Sequence, residues 1–534
     1  MNARRVMPVG EQSFEDLRSR RCVYVDKTQY IYNLVSGSKF YFLSRPRRFG
    51  KSLLLSTLEA YFLGKKDLFK GLYLEQAEPE LAASEDRPPW EEHPVLYLDL
   101  SDNNNKFPQT HSINLNDQLS GWEKIYGTAP SEVDFTTRFR GVIRRAYEQT
   151  GQQVVLLVDE YDKPLLDTLQ IPGLHADIRD TLHGFYSVIK GSSKYLRFVF
   201  LTGVTRFVKM GIFSSLNNLN DITMTPAYSG ICGITETELK ANFAPEIEAL
   251  ATKLQRSSEQ TLSLLKRRYD GYLFSEEGEN VYNPFSLLRV FDANYVDDYW
   301  YETGTPTFLV EKLKKERLYF PNFEKGIIVE RTKLKAYNTD SQEVIPVLFQ
   351  AGYLTIKAYR AVEEDYVLGF PNDEVKYSFL GNIQPILAPL PESETGASVW
   401  KFRQAIETGD VELMMENIEA ILTGVPYDNI NEVRYRERDA QVALYIIFTL
   451  IGKSVETEVH NLKGRADIIV HAHEVIYILE LKLWSAGTPE EAIAQIRSQE
   501  YATRYKGTHK RILLIGASFD QEKRNIGAWK VEEF

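Results

Sequence analysis

Cysteine is almost absent: Cys22 and Cys232 are the two in 534 residues. They lie far apart and have no Cys neighbours, which excludes a zinc cluster and a disulfide framework. Long hydrophobic runs are missing too. Segments such as "ALYIIFTLIG" (Ala443 to Gly452) fall well short of the ~20 residues of a membrane span. The N-terminal "MNARRVMPVGEQSFEDL" has no apolar stretch after its arginines, so it does not read as a secretory signal. A cytoplasmic protein with no membrane partner is expected. Positive charge is in deficit, with 63 Lys+Arg against 74 Asp+Glu and a net charge of −11. That is the reverse of a chain that coats itself with nucleic acid. The deficit is not uniform: Ile430 to Phe534 holds 15 Lys+Arg and 15 Asp+Glu, so a local basic groove remains open there.

What is present is an ordinary globular composition, 43% hydrophobic and 26% charged, with no internal repeat or low-complexity tract. Short apolar runs at Lys39 to Ser44, Val95 to Leu100, Val154 to Val158 and Arg197 to Thr202 read as strands buried on both faces of a parallel sheet. Helical patterns such as Phe135 to Gln149 separate them, which is an α/β layout. We expect a P-loop-type domain over 1–230, a mixed and mainly helical middle or lid region over 231–390, and a linker and helix over 391–430. A second α/β domain is expected over 431–534. The linker is placed at "APLPESETGAS" (Ala388 to Ser398).

The first chemistry lies in "FYFLSRPRRFGKSLLLSTLEAYF", Phe40 to Phe62. An apolar run, a short loop, Gly50-Lys51-Ser52 and then a helix make a phosphate-binding arrangement. Gly50 lets the backbone approach phosphate, Lys51 bridges terminal phosphates, and Ser52 ligates Mg²⁺. The helix that follows points its N-terminal dipole at the anion. Arg45 stands where the usual pattern has its first glycine, Pro46 offers another way to fix the turn, and Arg47 and Arg48 add charge beside the loop. In "QQVVLLVDEYDKPL" a buried strand ends in Asp159 and Glu160: one acid to hold Mg²⁺ through water, the next to polarise the attacking water. The run "LRFVFLTGVTRF" ends a strand at Thr202, resembling the γ-phosphate-sensing position of additional-strand NTPases. Arg206 and Lys209 follow as phosphate contacts or as a solvated cationic patch.

These stretches, with "FSSLNNLNDIT", "YDGYLF", "VYNPFSLL", "YVDKT" (Tyr24 to Thr28) and "YWYETGTPTFLV" (Tyr299 to Val310), resemble the bacterial AAA-ATPase-like proteins with a C-terminal nuclease-like domain. The resemblance covers nearly the whole chain. It implies an AAA-like P-loop fold and ATP as nucleotide, and it makes Arg45 a family trait. It also implies a role in defence or mobile-element conflict. "YDGY", around Asp270 and Gly271, reads as a turn with packed aromatics.

The second chemistry is in "ETEVHNLKGRADIIVHAHEVIYILELKLW". Glu480 and Lys482 alternate onto one face of a strand over Val475 to Leu483, and a hairpin brings Asp467 beside them. Two carboxylates can share Mg²⁺ while the lysine positions a water or steadies a phosphoryl transition state. This is the D…E-x-K pattern of the PD-(D/E)xK nucleases, and the resemblance implies that fold. It places Gln495, on a helix over Pro489 to Tyr505, as a supporting residue. Glu437 and Glu458 compete as a further metal ligand, and Gly464 and Arg465 lead into Asp467. His460, His471, His473 and His509 read as strand-edge polar residues. The expected function is an ATPase coupled to Mg²⁺-dependent cleavage of nucleic acid, DNA ahead of RNA, with a homo-oligomer open. The alternative is a nucleotide-dependent switch or scaffold whose nuclease-like domain only binds nucleic acid or a protein.

Overall fold

The computed structural model describes residues 5–101, 108–169, 171–206, 218–300, 318–334, 343–387, 395–423, 437–460, 465–523 and 525–534. The chain forms two compact units. One spans Met1–Leu309 and Gly326–Val375; the other spans Val310–Lys325 and Lys376–Phe534.

In the first unit, β1 (Phe40–Ser44), β2 (Val95–Asp99), β3 (Val154–Asp159), β4 (Leu196–Gly203) and β5 (Asn220–Asp221) form one sheet. Their order is β2-β3-β4-β1-β5 and every pairing is parallel. Every residue of β1 and β3 is buried, because helices cover both faces of a parallel sheet. β4 therefore lies between the strand that leads into Gly50-Lys51-Ser52 and the strand that ends in Asp159. The ends of all three strands meet at one edge. The helix Lys51–Phe62 starts directly after Gly50, whose φ of 92° suits glycine; a β-carbon there would meet nothing within 4 Å, so backbone conformation is what demands it.

Helices Glu236–Asn242, Ala244–Leu254, Ser258–Tyr269 and Pro284–Ala293 share a core built on Leu239, Phe243, Leu250, Leu265 and Val290, against which Met7 also packs. "YDGY" sits at its edge as buried aromatics. Gly271 has φ 96°, and a β-carbon there would stand 2.3 Å from the Pro371 carbonyl. After the short strands β6 (Ile234–Thr235) and β7 (Val281–Tyr282) comes a small antiparallel sheet of β8 (Ile327–Glu330), β9 (Thr355–Arg360) and β10 (Asp365–Gly369).

The second unit holds β11 (Ser454–His460), β12 (Arg465–His471), β13 (Val475–Leu483), β14 (Arg511–Asp520) and β15 (Asn525–Glu533), in sequential order. All pairings are antiparallel except β13 with β14. That parallel pair needs a crossover, supplied by the helix Pro489–Ser498. The helix stops short of the expected Tyr505. Glu500 turns left-handed (φ 57°), and Tyr501, Ala502 and Tyr505 fold into the sheet's core instead. The expected linker is shortened as well: Thr395 to Ser398 open a helix running to Thr408, drawn into regular structure by buried Phe402, Ala405 and Ile406, while residues 388–394 lie outside the described ones. Among the described residues no helix is long and apolar enough to cross a membrane.

Candidate functional sites

A cavity of about 390 Å³ opens at the N-terminus of the Lys51–Phe62 helix. Arg47, Arg48, Lys51 and Lys163 line it, with Ser52 and Glu160. Four cations beside a helix N-terminus make a site for a polyphosphate. Lys51 is buried, and its Nζ donates to the carbonyls of Arg45 (3.1 Å) and Pro46 (3.2 Å), which holds it at the loop's centre. Arg48 has φ 68° and lays its guanidinium 4.7 Å from the Phe285 ring centroid.

Arg45 does something else. Its side chain is 1% exposed and points inward. Nη1 donates to the carbonyls of Ser44 (2.9 Å) and Thr223 (2.8 Å), Nη2 donates to that of Tyr228 (3.0 Å), and the guanidinium carbon lies 4.1 Å from the Phe274 centroid. Burial lowers its pKa to about 10, so it stays charged near neutrality. Arg45 fastens the loop's base to the segment after β5 and does not line the cavity.

The acids are held by β4. Thr202 Oγ1 donates to Asp159 Oδ1 at 2.6 Å, and the Glu160 N–H donates to the same oxygen at 3.0 Å; the Tyr97 hydroxyl is 3.5 Å from Oδ2. Glu160 turns into the cavity through a left-handed backbone (φ 48°). Burial, with Asp162 and Asp159 nearby, raises its pKa, while Lys51 and Arg47 oppose the shift. A carboxyl raised in this way is a better proton acceptor. Asp162, which carried no expected role, is a clamp: it accepts from the Val204 N–H (3.1 Å) and from the Thr205 N–H and hydroxyl (2.6 and 2.7 Å), fixing the end of β4. Arg206 is ion-paired with Asp221 on β5 (2.8 Å) and is not among the cavity's lining residues. Lys209 lies outside the described residues.

Pro8, Gly10, Glu11 and Gln12, and Pro284, Phe285 and Leu288, also line the cavity. A second, apolar cavity of about 100 Å³ shares Pro8, Gly50, Leu53, Pro284 and Leu288 with it and adds Tyr24, Val25, Lys27 and Cys232. The signal for these walls was in the sequence, in "YVDKT" and "VYNPFSLL", but those stretches carry no polar pattern that states a role.

In the second unit the register Ile468 opposite Leu479 sets Asp467 and Glu480 at the next step of the ladder. Asp467 Oδ2 accepts the Leu481 N–H (2.8 Å). Glu480 is 2% exposed. Its Oε1 accepts from the Gln495 side-chain amide and lies 3.5 Å from Lys482 Nζ, which in turn donates to Gln495 Oε1. Its Oε2 is buried with no hydrogen-bond partner. Burial, and after it the charge of Asp467, raises the Glu480 pKa. Two facing carboxylates, one with an orphaned oxygen, make a donor set that fits a hard divalent cation. Asp467, Glu480, Lys482 and Gln495 are thus brought together.

Glu458 lies on β11 across from Asp467. The register passes over it between the pairs Thr457–Ile468 and Val459–Ala466, and its φ is 46°. A bulge at that position re-aims the strand beside the carboxylates. Glu437 begins the helix Glu437–Leu450, and Gly464 lies outside the described residues. Tyr319, unforeseen from sequence, reaches the same place: the Arg438 guanidinium lies 4.3 Å from its ring centroid, and its hydroxyl is 3.5 Å from Gln441 Oε1. Its pKa is pushed up to about 12 by burial, with Glu458 and Asp467 adding to the rise. His471 pairs with Glu456 at 2.7 Å on the sheet edge, and His473 with Glu474 at the surface.

Comparison with known proteins gives three findings. Residues 8–213 match the family described as predicted AAA-ATPase. Residues 435–529 match the PD-(D/E)XK nuclease superfamily. An uncharacterised protein in the vnfD 5′ region of Azotobacter chroococcum mcd 1 is 36% identical over 546 residues, covering 99% of each chain.

Proposed function

The chain belongs to the AAA-ATPase-like family with a C-terminal PD-(D/E)XK nuclease-superfamily domain, and on that premise we propose that it binds and hydrolyses ATP and couples this to Mg²⁺-dependent cleavage of nucleic acid, DNA ahead of RNA. The reading includes a cytoplasmic location and the division at 230, 390 and 430 stated above. The observation that carries it is the pairing of two complementary constellations in one chain: a cavity ringed by Arg47, Arg48, Lys51 and Lys163, and a buried carboxylate pair with an orphaned Glu480 oxygen.

In the first unit Arg47, Arg48 and Lys51 take the phosphates, and the adjoining apolar cavity takes the base. Ser52 and Asp159 would hold Mg²⁺; Thr202 keeps Asp159 oriented; Glu160 receives the proton of the attacking water. In the second unit Asp467 and Glu480 would hold Mg²⁺. When bound, the ion neutralises charge at the reacting phosphate and makes a coordinated water more acidic. Lys482 gives a charge-assisted hydrogen bond to the scissile phosphate, and Gln495 positions both Lys482 and Glu480.

The test is a nuclease and ATPase assay of wild type, Lys51→Ala and Lys482→Ala on single-stranded, duplex and flapped DNA and on RNA, with and without ATP. Lys482→Ala is expected to lose at least about a hundredfold in cleavage with ATP turnover intact. Lys51→Ala is expected to lose ATP turnover. Unchanged cleavage in Lys482→Ala overturns the site. A wild type that hydrolyses ATP, binds nucleic acid and never cuts it with Mg²⁺ or Mn²⁺ is the switch or scaffold.

A further inference from the structure

The face that carries Glu480 and Lys482 does not end with β13. Side chains alternate along a strand, so Trp484 continues the series Glu480, Lys482. Its N–H donates to the Phe519 carbonyl (2.9 Å), which extends the parallel ladder with β14 past Leu483. On β14 the residues paired with Glu480 and Lys482 are Gly516 and Ser518, so Asp520 is the next residue on that face.

Trp484 is not folded into the core; it is 58% exposed. Its ring is nonetheless pinned. A β-carbon at Gly527 would stand 2.5 and 2.6 Å from Trp484 Cε3 and Cζ3, and 3.6 Å from Asp520 Cβ. Gly527 has no left-handed backbone to explain it. It lies at the irregularity between the pairs Ser518–Ala528 and Phe519–Ile526, where the space of its missing side chain is filled by the indole. Single exposed aromatics are common and need no explanation. An exposed indole braced by a glycine, on the face of the carboxylates and the lysine, is a different object.

We propose that Trp484 is a stacking platform for an unpaired nucleobase next to the phosphate held at Glu480 and Lys482. The inference rests on the nuclease reading above. An aromatic face stacks any base, because every base has a π-face. A base inside a duplex already has both faces covered, so the platform selects a strand that is single, frayed or flapped. Residues 482 and 484 are about 6.7 Å apart along a strand, so the base taken lies close to the phosphate that Lys482 contacts. Lys523, 80% exposed and 3.8 Å from Asp520, offers a phosphate contact on the same rim.

The test is fluorescence anisotropy with fluorescein-labelled single-stranded, flapped and blunt-duplex oligonucleotides in Ca²⁺ buffer. Trp484→Ala is expected to weaken single-strand and flap binding by about 5- to 100-fold, with blunt-duplex binding unchanged. Trp484→Phe retains most of the affinity. Gly527→Val, which displaces the indole, reproduces the Trp484→Ala pattern in a protein whose circular dichroism matches wild type. Equal binding by wild type and Trp484→Ala, or an equal loss on all three probes, overturns the platform. Cleavage by wild type in Mg²⁺ separates the two readings: a wild type that cuts while Trp484→Ala keeps full single-strand affinity removes the platform alone. A wild type that binds none of the probes removes the nuclease reading and the platform with it.

Discussion

Arg45 and Glu480 are both buried ionisable groups close to the reactive groups of their own unit, and they are treated in opposite ways. Arg45 donates to three backbone carbonyls and rests on an aromatic ring. Glu480 keeps one oxygen without a partner and faces a second carboxylate. The first burial is met by backbone carbonyls at both Nη atoms, with Nε alone left without a partner, and serves the fold. The second stays unfavourable until a cation arrives, and so serves chemistry. A buried charge therefore says little by its presence; an unpaired atom beside a second like charge, as at Glu480 and not at Arg45, is what points to chemistry.

The largest expected effect breaks the comparison on the Arg45 side. Arg45→Gly installs the glycine of the more usual loop pattern at a position where the family resemblance implies arginine. In the structure it removes a charged donor from the carbonyls of Ser44, Thr223 and Tyr228 and empties the space over Phe274. The expected cost is at least about 3 kcal/mol of stability. Thermal denaturation and nucleotide titration should both show the loss. Arg48→Ala, at an exposed position, should keep the melting temperature and lose affinity for ATP. An Arg45→Gly protein as stable as wild type would mean that the buried guanidinium does not fasten the loop.

The next effect sharpens the Glu480 side. Its folded pKa lies above the ordinary carboxylate value, so the folded state holds the proton more tightly than the unfolded chain. Between those two values stability falls as pH rises. Glu480→Gln removes that penalty. Without divalent metal the variant should melt higher than wild type in mildly alkaline buffer, by about 2–4 °C for each kcal/mol relieved, and equally at about pH 5. Mg²⁺ should raise the wild-type melting temperature and leave the variant's unchanged. A variant no more stable than wild type at alkaline pH would mean that the carboxylate pair is already satisfied.

Much of this is legible in the sequence. The apolar runs became β1 to β4, and β13 spans the expected Val475–Leu483. Strand alternation and a hairpin bring Asp467, Glu480 and Lys482 together, because a period of two leaves no freedom in which face a side chain takes. What escaped has a common cause: roles fixed by long-range partners. Nothing near Arg45 in the chain announces Thr223 or Tyr228, and nothing near Arg206 announces Asp221. Pro8, Gly10 to Gln12, Pro284, Phe285 and Leu288 become cavity walls through packing across the first unit. Tyr319 reaches Arg438 and Gln441 from more than a hundred residues away. The helix end at Ser498 was lost to burial of Tyr501 and Tyr505, which outweighed good local helix propensity.

The smallest effect asks whether a satisfied group can also be a functional one. Thr202 is fully buried, and its hydroxyl meets Asp159 Oδ1 at 2.6 Å. Thr202→Val keeps the shape and removes the donor, leaving that oxygen the Glu160 N–H. The carboxylate should then turn more freely, with the sheet intact. The expected result is a fall in ATP turnover of about tenfold, the worth of one hydrogen bond to a charged group, with KM for ATP little changed and DNA cleavage without ATP untouched. Thr202→Ser should restore turnover, because the hydroxyl and not the methyl group carries the effect. Loss of turnover together with loss of melting temperature would make Thr202 a fastener like Arg45. Loss of turnover alone would put β4 in the chemistry, as the strand that orients an acid it does not itself carry.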